Sequence, residues 1–499
     1  MRQSRSPASI PVNIHPYASF SGLETMRDAA SMESGKNQAL TTLTNAYVDM
    51  FAQVVREPPA RYVSGKLPCP FVKQFTDETF VFAESRAGGI ALISNTGHEK
   101  IQAYASGSSI CATIFSDEMW LASFGQPMSI YDGSLWRLPD SKSLVANPAS
   151  MVAVVNRRLA VAGMERYRSQ VWLSRVDQGD VMPPDENPND ENVLRAGYID
   201  VRNMTDKYEV ITGIQAFEWN RLAVFTGSRA LVYQIDPDID KWIIADQTTV
   251  TAGCISDRTI VQAGNQLLFC SKSGVHAMSR SQYNNVSITG MNMSQVVETL
   301  YRSLVSQVPN PANISAVWDV DTYRYHIFFP ISDRAAYRLT MSLPTGDEPP
   351  RWSLGTYLNA SCADALDGVI LLGTPGGVYR WFEIGQAVVG DVPPVQMNMR
   401  TPILWCGQSS DTKEGYSYTL HMTGKGQVTI RVTDELEHPI MEEIVDFDDT
   451  DQESRRPEDT LFEQFERKFE RRFRGVRFEI ESSGTSLVRL SALAISTRK

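Results

Sequence analysis

The residue types that do chemistry are abundant in this chain, but they do not stand at the spacings chemistry needs. Six histidines, at 15, 98, 276, 326, 421 and 438, are scattered over its whole length. A Ser-His-Asp hydrolase needs three side chains in mutual hydrogen-bond reach, and no local phrase announces such a set. The P-loop, the GxSxG nucleophile elbow, the HExxH zinc motif and the dinucleotide fingerprint are all missing. His98-Glu99 opens as a zinc helix would but lacks the second histidine. Asp236, Asp238 and Asp240 imitate three ligand positions of a calcium loop. Lys241 then stands where that loop needs glycine, and Gln247 where it needs a bidentate glutamate. An Asp-Pro turn is the simpler reading. The cysteines at 69, 111, 254, 270, 362 and 406 form no CxxC pair and have no histidine at zinc spacing. They are expected to be reduced, mostly buried thiols. A glycosidase needs two carboxyls about 5 to 9.5 Å apart; with 58 Asp and Glu many pairs are conceivable, and none is nominated. The expectation is no catalysis, no cofactor and no metal.

Charge narrows the partners. The 499 residues carry a net charge of −11. A protein that reads DNA sequence normally shows a basic footprint, so that role is disfavoured, although DNA passing by is not. No apolar run approaches the ~20 residues that span a bilayer. No signal-peptide core follows the N-terminus, so membrane insertion is not expected. One region is strongly patterned. Residues 434–451 hold nine acids and no Lys or Arg, with Asp446, Asp448 and Asp449 near their end. Residues 467–477 then carry Arg467, Lys468, Arg471, Arg472, Arg474 and Arg477. Phe462, Phe465, Phe469 and Phe473 lie among them at spacings that suit a short amphipathic helix or an aromatic-rich strand. The basic block could pair with the acidic one, pair with an acidic partner surface, or be a solvated loop. Asp446, Asp448, Asp449, Arg467, Arg471 and Arg472 are the candidate subunit-interface residues.

The elements that would position these groups read as mainly β. Short runs of Val, Ile, Phe, Tyr and Trp alternate with Gly, Asn, Asp, Ser and Pro. A polar turn, an apolar strand, a Gly- or Ser-containing turn and a second strand recur seven times, over 77–94, 117–131, 156–173, 220–235, 265–279, 321–339 and 367–382. Small antiparallel sheets cannot bury both faces alone, so repetition at this period suggests blades around an axis; an irregular stack of sheets is the alternative. These hairpins lack the Ser-x-Asp-x-Gly-x-Thr-Trp box of sialidase-like propellers. One helix is expected over 292–308, with Asn292 as cap, Val296, Val297, Leu300, Leu304 and Val308 on one face, and Pro309 and Pro311 as stop. It would cover its own domain or a neighbouring subunit. Residues 180–192 are Pro-rich and acidic, hence an exposed loop. Pro393 and Pro394 mark a boundary before a C-terminal β-sandwich-like segment. The expected organisation is an N-terminal arm over 1–65, a β-propeller-like body over 66–390 and a C-terminal β-domain over 391–499.

Four stretches, residues 30–63, 129–139 with 156–174, 253–280 and 405–480, together resemble the tail nozzle proteins of short-tailed bacteriophages. Residues 30–63 are similar to that family's opening. Residues 129–139 (SIYDGSLWRLP) with 156–174 are similar to its "y-DG-x-W" and "rLwvaG" hairpins. Residues 253–280 resemble a further hairpin phrase, and 405–480, ending Arg474-Gly475-Val476-Arg477-Phe478-Glu479-Ile480, resemble its closing β-domain. Arg56-Glu57-Pro58-Pro59 departs from the family's Arg-x-Pro-Gly turn. The resemblance implies a non-enzymatic virion tail component made in the host bacterial cytoplasm. Six copies would form a hexamer ring below the head-to-tail adaptor, with tail fibres or tailspikes as further neighbours. The arm and the C-terminal domain would form a platform. The ring would extend the channel, retain packaged double-stranded DNA and conduct it without sequence-specific binding. Cationic contacts to phosphate would retard passage, so an acidic wall suits a conduit. The alternative expectation is a receptor- or carbohydrate-binding, even glycan-cleaving, propeller tail protein.

Overall fold

A computed structural model describes residues 12–27, 32, 38–76, 78–87, 89–102, 108–187, 191–202, 204–205, 209–247, 252–280, 286–288, 292–343, 349–381, 392–406, 408–447 and 463–498. The chain divides into two compact units. One is Tyr62–Leu339 with Leu358–Arg380; the other is Met1–Arg61 with Thr340–Tyr357 and Trp381–Lys499.

The first unit is a six-bladed β-propeller arrangement, and its blades grow from the recurring hairpins. Each hairpin supplies the two middle strands of an antiparallel sheet, for example Glu118–Ser123 with Gln126–Tyr131 and Arg221–Thr226 with Ala230–Gln234. A preceding strand and a following one complete the blades at 71–102, 110–137, 151–200, 211–247 and 261–288. The antiparallel strands Ser315–Asp319, Arg324–Ser332 and Ala335–Ser342 follow, and the sixth blade comes last. The polar turn that opens each hairpin phrase has a backbone reason. Ser116 and Asp117 (φ 52 and 61), Asn156 and Arg157 (φ 42 and 63) and Asp367 and Gly368 (φ 48 and 79) are two-residue turns with both φ positive. That conformation matches strand twist, and Asn, Asp and Gly tolerate it best.

Blades pack through apolar cores between neighbours. Trp120, Met128 and Ile130 of the second blade meet Leu159, Val161 and Trp172 of the third. Val171 and Leu173 meet Leu222, Val224 and Leu231 of the fourth. Phe225 meets Phe269 of the fifth, with ring centroids 4.8 Å apart. Tyr325 reaches back to the 3-10 turn before the fifth blade, donating to the Thr259 carbonyl at 2.6 Å. Cys362, Leu371 and Val378 of the sixth blade meet Val72, Phe80 and Phe82 of the first, which closes the circuit.

The sixth blade is assembled from both ends of the propeller segment. Its order is Cys362–Leu366, Val369–Thr374, Gly377–Trp381 and then the early strand Ala60–Ser64. Gly377 sits at φ 116, and a Cβ there would lie 2.5 Å from the Ser64 carbonyl oxygen, so only glycine admits the approach.

The expected helix is Glu298–Gln307, led by a 3-10 turn over Gln295–Val297. Asn292 Oδ1 accepts from the Ser294 N–H at 3.0 Å, and its carbonyl accepts from Gln295 N–H. Tyr301 and Leu304 are buried, and the Tyr301 hydroxyl donates to the Ser271 carbonyl at 2.7 Å. Tyr301 also meets Phe329 edge-on. The helix therefore covers its own unit.

The other unit packs two antiparallel-rich sheets face to face. One runs Glu463–Phe473, Lys413–Gly424, Val488–Arg498, Val54–Arg56 and Ala46–Val48, with Val12–Ala18 also paired to Val488–Arg498. The second includes Arg351–Gly355, Thr42–Thr44, Val395–Arg400, Val476–Gly484, Gly426–Asp434 and Pro439–Phe447. Val428, Ile430 and Val432 alternate inward with polar residues between them, as a sheet covered on one face requires. Tyr418 of one sheet meets Phe478 of the other at 5.5 Å. Arg56, 1% exposed, donates to Ser482 Oγ at 2.7 Å and to the Ser486 carbonyl; burial lowers its pKa to about 10. The expected boundaries at 65/66 and 390/391 stand against observed ones at 61/62 and 380/381. Thr340–Tyr357, expected within the body, belongs to this second unit, where Leu354 pairs in parallel with Thr44. The phenylalanine-bearing basic block forms the strand Glu463–Phe473, not a helix.

Gly377→Ala is expected to lower unfolding stability by about 2–3 kcal/mol, because a non-glycine residue there takes a strained φ and meets backbone. Gly376→Ala, whose nearest neighbour would be 3.7 Å away, should change little. Urea midpoints of the two variants check this; equal costs would show the closure is loose.

Candidate functional site

The first strand of every blade, and Ser315–Asp319, converge on the propeller axis around a cavity of about 560 Å³. That is within the range of small-molecule sites, roughly 300–1,000 Å³. Its lining runs from Phe71 and Lys73 through Cys111, Val152, Gln215, Asp257, Arg258 and Ser315 to Asp364.

Two carboxylates organise the polar part. Asp364 lies on Cys362–Leu366 and its Oδ1 accepts from Lys73 Nζ at 2.8 Å. Its Oδ2 accepts from the Gln74 backbone N–H at 2.8 Å, and the Gln74 amide donates to the Asp364 and Val369 carbonyls. The pair thus ties the first blade to the sixth. Burial alone would lower the Lys73 pKa, but the Asp364 charge and hydrogen bond outweigh it and raise it. Asp257 opens the 3-10 turn Asp257–Thr259. Its Oδ1 accepts from the Ile214 N–H at 2.8 Å, and its Oδ2 accepts from the Cys111 thiol at 2.9 Å. Burial pushes its carboxyl up to about 6, the Cys111 and Ile214 hydrogen bonds and the Arg258 charge opposing the shift only in part. Burial also pushes the Cys111 thiol up, with the Asp257 charge adding to it. Arg258 donates to the Pro70 carbonyl at 3.2 Å and lies 6.0 Å from the Phe71 ring centroid. Contacts therefore cross between blades that are not neighbours in sequence, and the axis is bridged by side chains.

None of these groups stood out in the chain. Asp257 and Arg258 sit inside a phrase read for its hairpin, and Lys73, Cys111 and Asp364 have no motif around them. They meet only because strands far apart in sequence share an axis. The calcium-like phrase is a turn: Asp236 Oδ1 accepts from Asp238 N–H, and Asp238 Oδ1 from Asp240 N–H. The six cysteines are free thiols, five of them buried.

Four of the six candidate interface residues lie among the described residues, on two edge strands of the second unit. Asp446 is exposed on Pro439–Phe447, opposite Gln427. Asp448 and Asp449 lie outside the described residues. Arg467 Nε pairs with Glu443 Oε1 at 2.5 Å, so the basic and acidic blocks meet within one chain. Much of the acidic block is likewise engaged locally. Glu437 accepts from Arg400 and Arg477, Glu442 from Arg431, and Asp434 from the Leu436 and His438 N–H groups. Arg471 and Arg472 are exposed on Glu463–Phe473, opposite Gly415 and Glu414.

No protein-family model and no curated protein matches the chain. Solved structures give distant likenesses. The extracellular domain of the hybrid two-component system BT3049 of B. thetaiotaomicron is 10% identical with a TM-score of 0.40, over 87% of this chain and 58% of that one. The extracellular domain of the one-component system BT4673 of B. thetaiotaomicron is 11% identical with a TM-score of 0.40, over 79% and 48%. Virginiamycin B lyase from Staphylococcus aureus is 11% identical with a TM-score of 0.36, over 66% and 98%. The chain spans about half the length of the BT4673 domain. Likenesses this distant carry no statement about activity.

The Asp257 carboxyl gives a pH signature. Its pKa is raised on folding from 3.8 to about 6, so the folded state holds this proton more tightly than the unfolded chain. The stability it contributes is present below pH ~4 and is lost as pH rises through about 6. Asp257→Asn removes that term. Subtracting urea-unfolding curves of wild type and variant between pH 4 and 7 should leave a wild-type decline across this window; a flat difference would show that Asp257 titrates normally.

Proposed function

We propose that this chain is a non-enzymatic ring subunit of the tail nozzle type found in short-tailed bacteriophages, acting as a conduit for double-stranded DNA. One observation carries the reading: a β-sandwich unit built from both ends of the chain presents two charged edge strands, Pro439–Phe447 and Glu463–Phe473. A cyclic ring needs heterologous contacts, made by unlike patches on each copy. Arg471 and Arg472 on one strand and Asp446 on the other are exposed charges of opposite sign suited to such contacts. The ordered sequence resemblance and the net charge of −11 support the same reading. The propeller axis is bridged by Arg258, Lys73 and Asp364 around a cavity of about 560 Å³, far too small for a duplex. In this reading the DNA channel is formed between copies and never through a single propeller, and the subunits belong to a virion tail docked on an adaptor ring.

Purified chain, alone or with the adaptor ring of its virion, should form hexameric rings under the electron microscope, and antibody should label virions at the neck or tail tube. A polysaccharide-binding trimer, or label only at fibre tips, would overturn the reading. Reversing charge with Arg471→Glu and Arg472→Glu should abolish or strongly reduce ring formation while leaving circular dichroism unchanged; normal rings from that variant would remove these residues from the interface.

A further inference from the structure

The axial cavity is more than a gap left where blades meet, because donors without a full set of partners line it. Both carboxylates that reach it are already engaged. Each oxygen of Asp257 and each oxygen of Asp364 accepts a hydrogen bond from the protein. The donors are not. Among the described residues Lys73 directs one hydrogen bond to Asp364, leaving two of its three N–H groups. Arg258 directs one of its five to the Pro70 carbonyl. Ser315 is the sharper observation. It is 3% exposed, it lines the cavity, and its Oγ has no partner among the described residues. A buried hydroxyl left unsatisfied carries a desolvation cost, so such groups normally have a partner of some kind. Besides the remaining carboxylate lone pairs, the open capacity at the axis is thus N–H and O–H from Lys73, Arg258 and the orphaned Ser315 hydroxyl.

We propose that the axial cavity binds a small oxyanion, a carboxylate or phosphate, held by Arg258 and Lys73 and hydrogen-bonded by Ser315. An oxyanion supplies acceptors only, which is what the remaining donors require, and the guanidinium fork matches the geometry of carboxylate and phosphate oxygens. A metal cation is the wrong complement: no group of three His, Cys, Asp or Glu side chains placed to hold one occurs among the described residues. A neutral sugar would give the Arg258 guanidinium no charged acceptor. Charge-assisted bonds formed away from bulk water would favour a bound anion despite the net negative chain. The site stands apart from the ring-subunit reading, since it lies within one propeller and needs no second copy.

The test is isothermal titration of the intact chain with inorganic phosphate and with citrate at matched ionic strength, with chloride and glucose as controls. One saturable site per chain for phosphate or citrate, with a rise in the unfolding midpoint, is the expected result, and the two probes distinguish a phosphate ligand from a carboxylate one. Arg258→Gln should weaken binding about tenfold or more and Ser315→Ala about three- to tenfold, while Arg258→Lys keeps part of it. If Arg258→Gln does not fold, Ser315→Ala, which removes only a hydroxyl, decides the matter. Absence of saturable binding by both anions, equal binding of glucose, or affinity unchanged in Ser315→Ala would overturn the proposal.

Discussion

A four-stranded antiparallel sheet of this composition has two apolar faces and cannot cover either by itself. Everything in the propeller follows from that constraint. Each blade finds its cover in the next, as Trp120 with Trp172 or Phe225 with Phe269, and the series is stable only if the last blade also meets the first. The chain meets this demand by bringing Ala60–Ser64 back onto Gly377–Trp381, across more than three hundred residues. Such closure is slow to find, because loop entropy must be overcome before the contact rewards it. It covers the apolar faces of the first and last blades, which would otherwise lie open.

Closing the circuit also determines what happens at the axis. Strands that converge bring their backbones and first side chains close together, so polar residues there must satisfy one another. Asp257 does so through Ile214 and Cys111, and Asp364 through Lys73 and Gln74. These links join blades that share no local sequence, and each couples the position of one blade to another. The raised carboxyl of Asp257 is a direct result of that enclosure.

In the second unit the same need for cover is met differently. Two sheets bury one face each, and Glu442, Glu443 and Asp446 of one charged block and Arg467, Lys468, Arg471 and Arg472 of the other lie on edge strands, where lateral backbone groups face outward and charge discourages aggregation. Pairs such as Arg467–Glu443 and Arg477–Glu437 hold part of the blocks in place. Arg471 and Arg472 remain exposed.

The local pattern by itself determined a great deal here. All seven hairpins appear as the middle strands of their sheets, because alternation and left-handed turns at Asp117, Asn156 and Asp367 are properties of a few adjacent residues. The helix at Glu298–Gln307 was legible for the same reason, its apolar face being local, although its N-cap is Val297 with no side-chain cap and not the expected Asn292. Two features were not. The phenylalanine spacing in the basic block left helix and strand both open, and only pairing with the distant Lys413–Gly424 makes it a strand. Thr340–Tyr357 joins the second unit through a distant parallel partner at Thr44, which no local window contains. The axial cluster lies at the far end of this scale. Lys73, Cys111, Asp257, Arg258, Ser315 and Asp364 span nearly three hundred residues and share no motif. Only the tertiary structure brings them together, because proximity around a propeller axis depends on where strands converge and not on how far apart they stand in the chain.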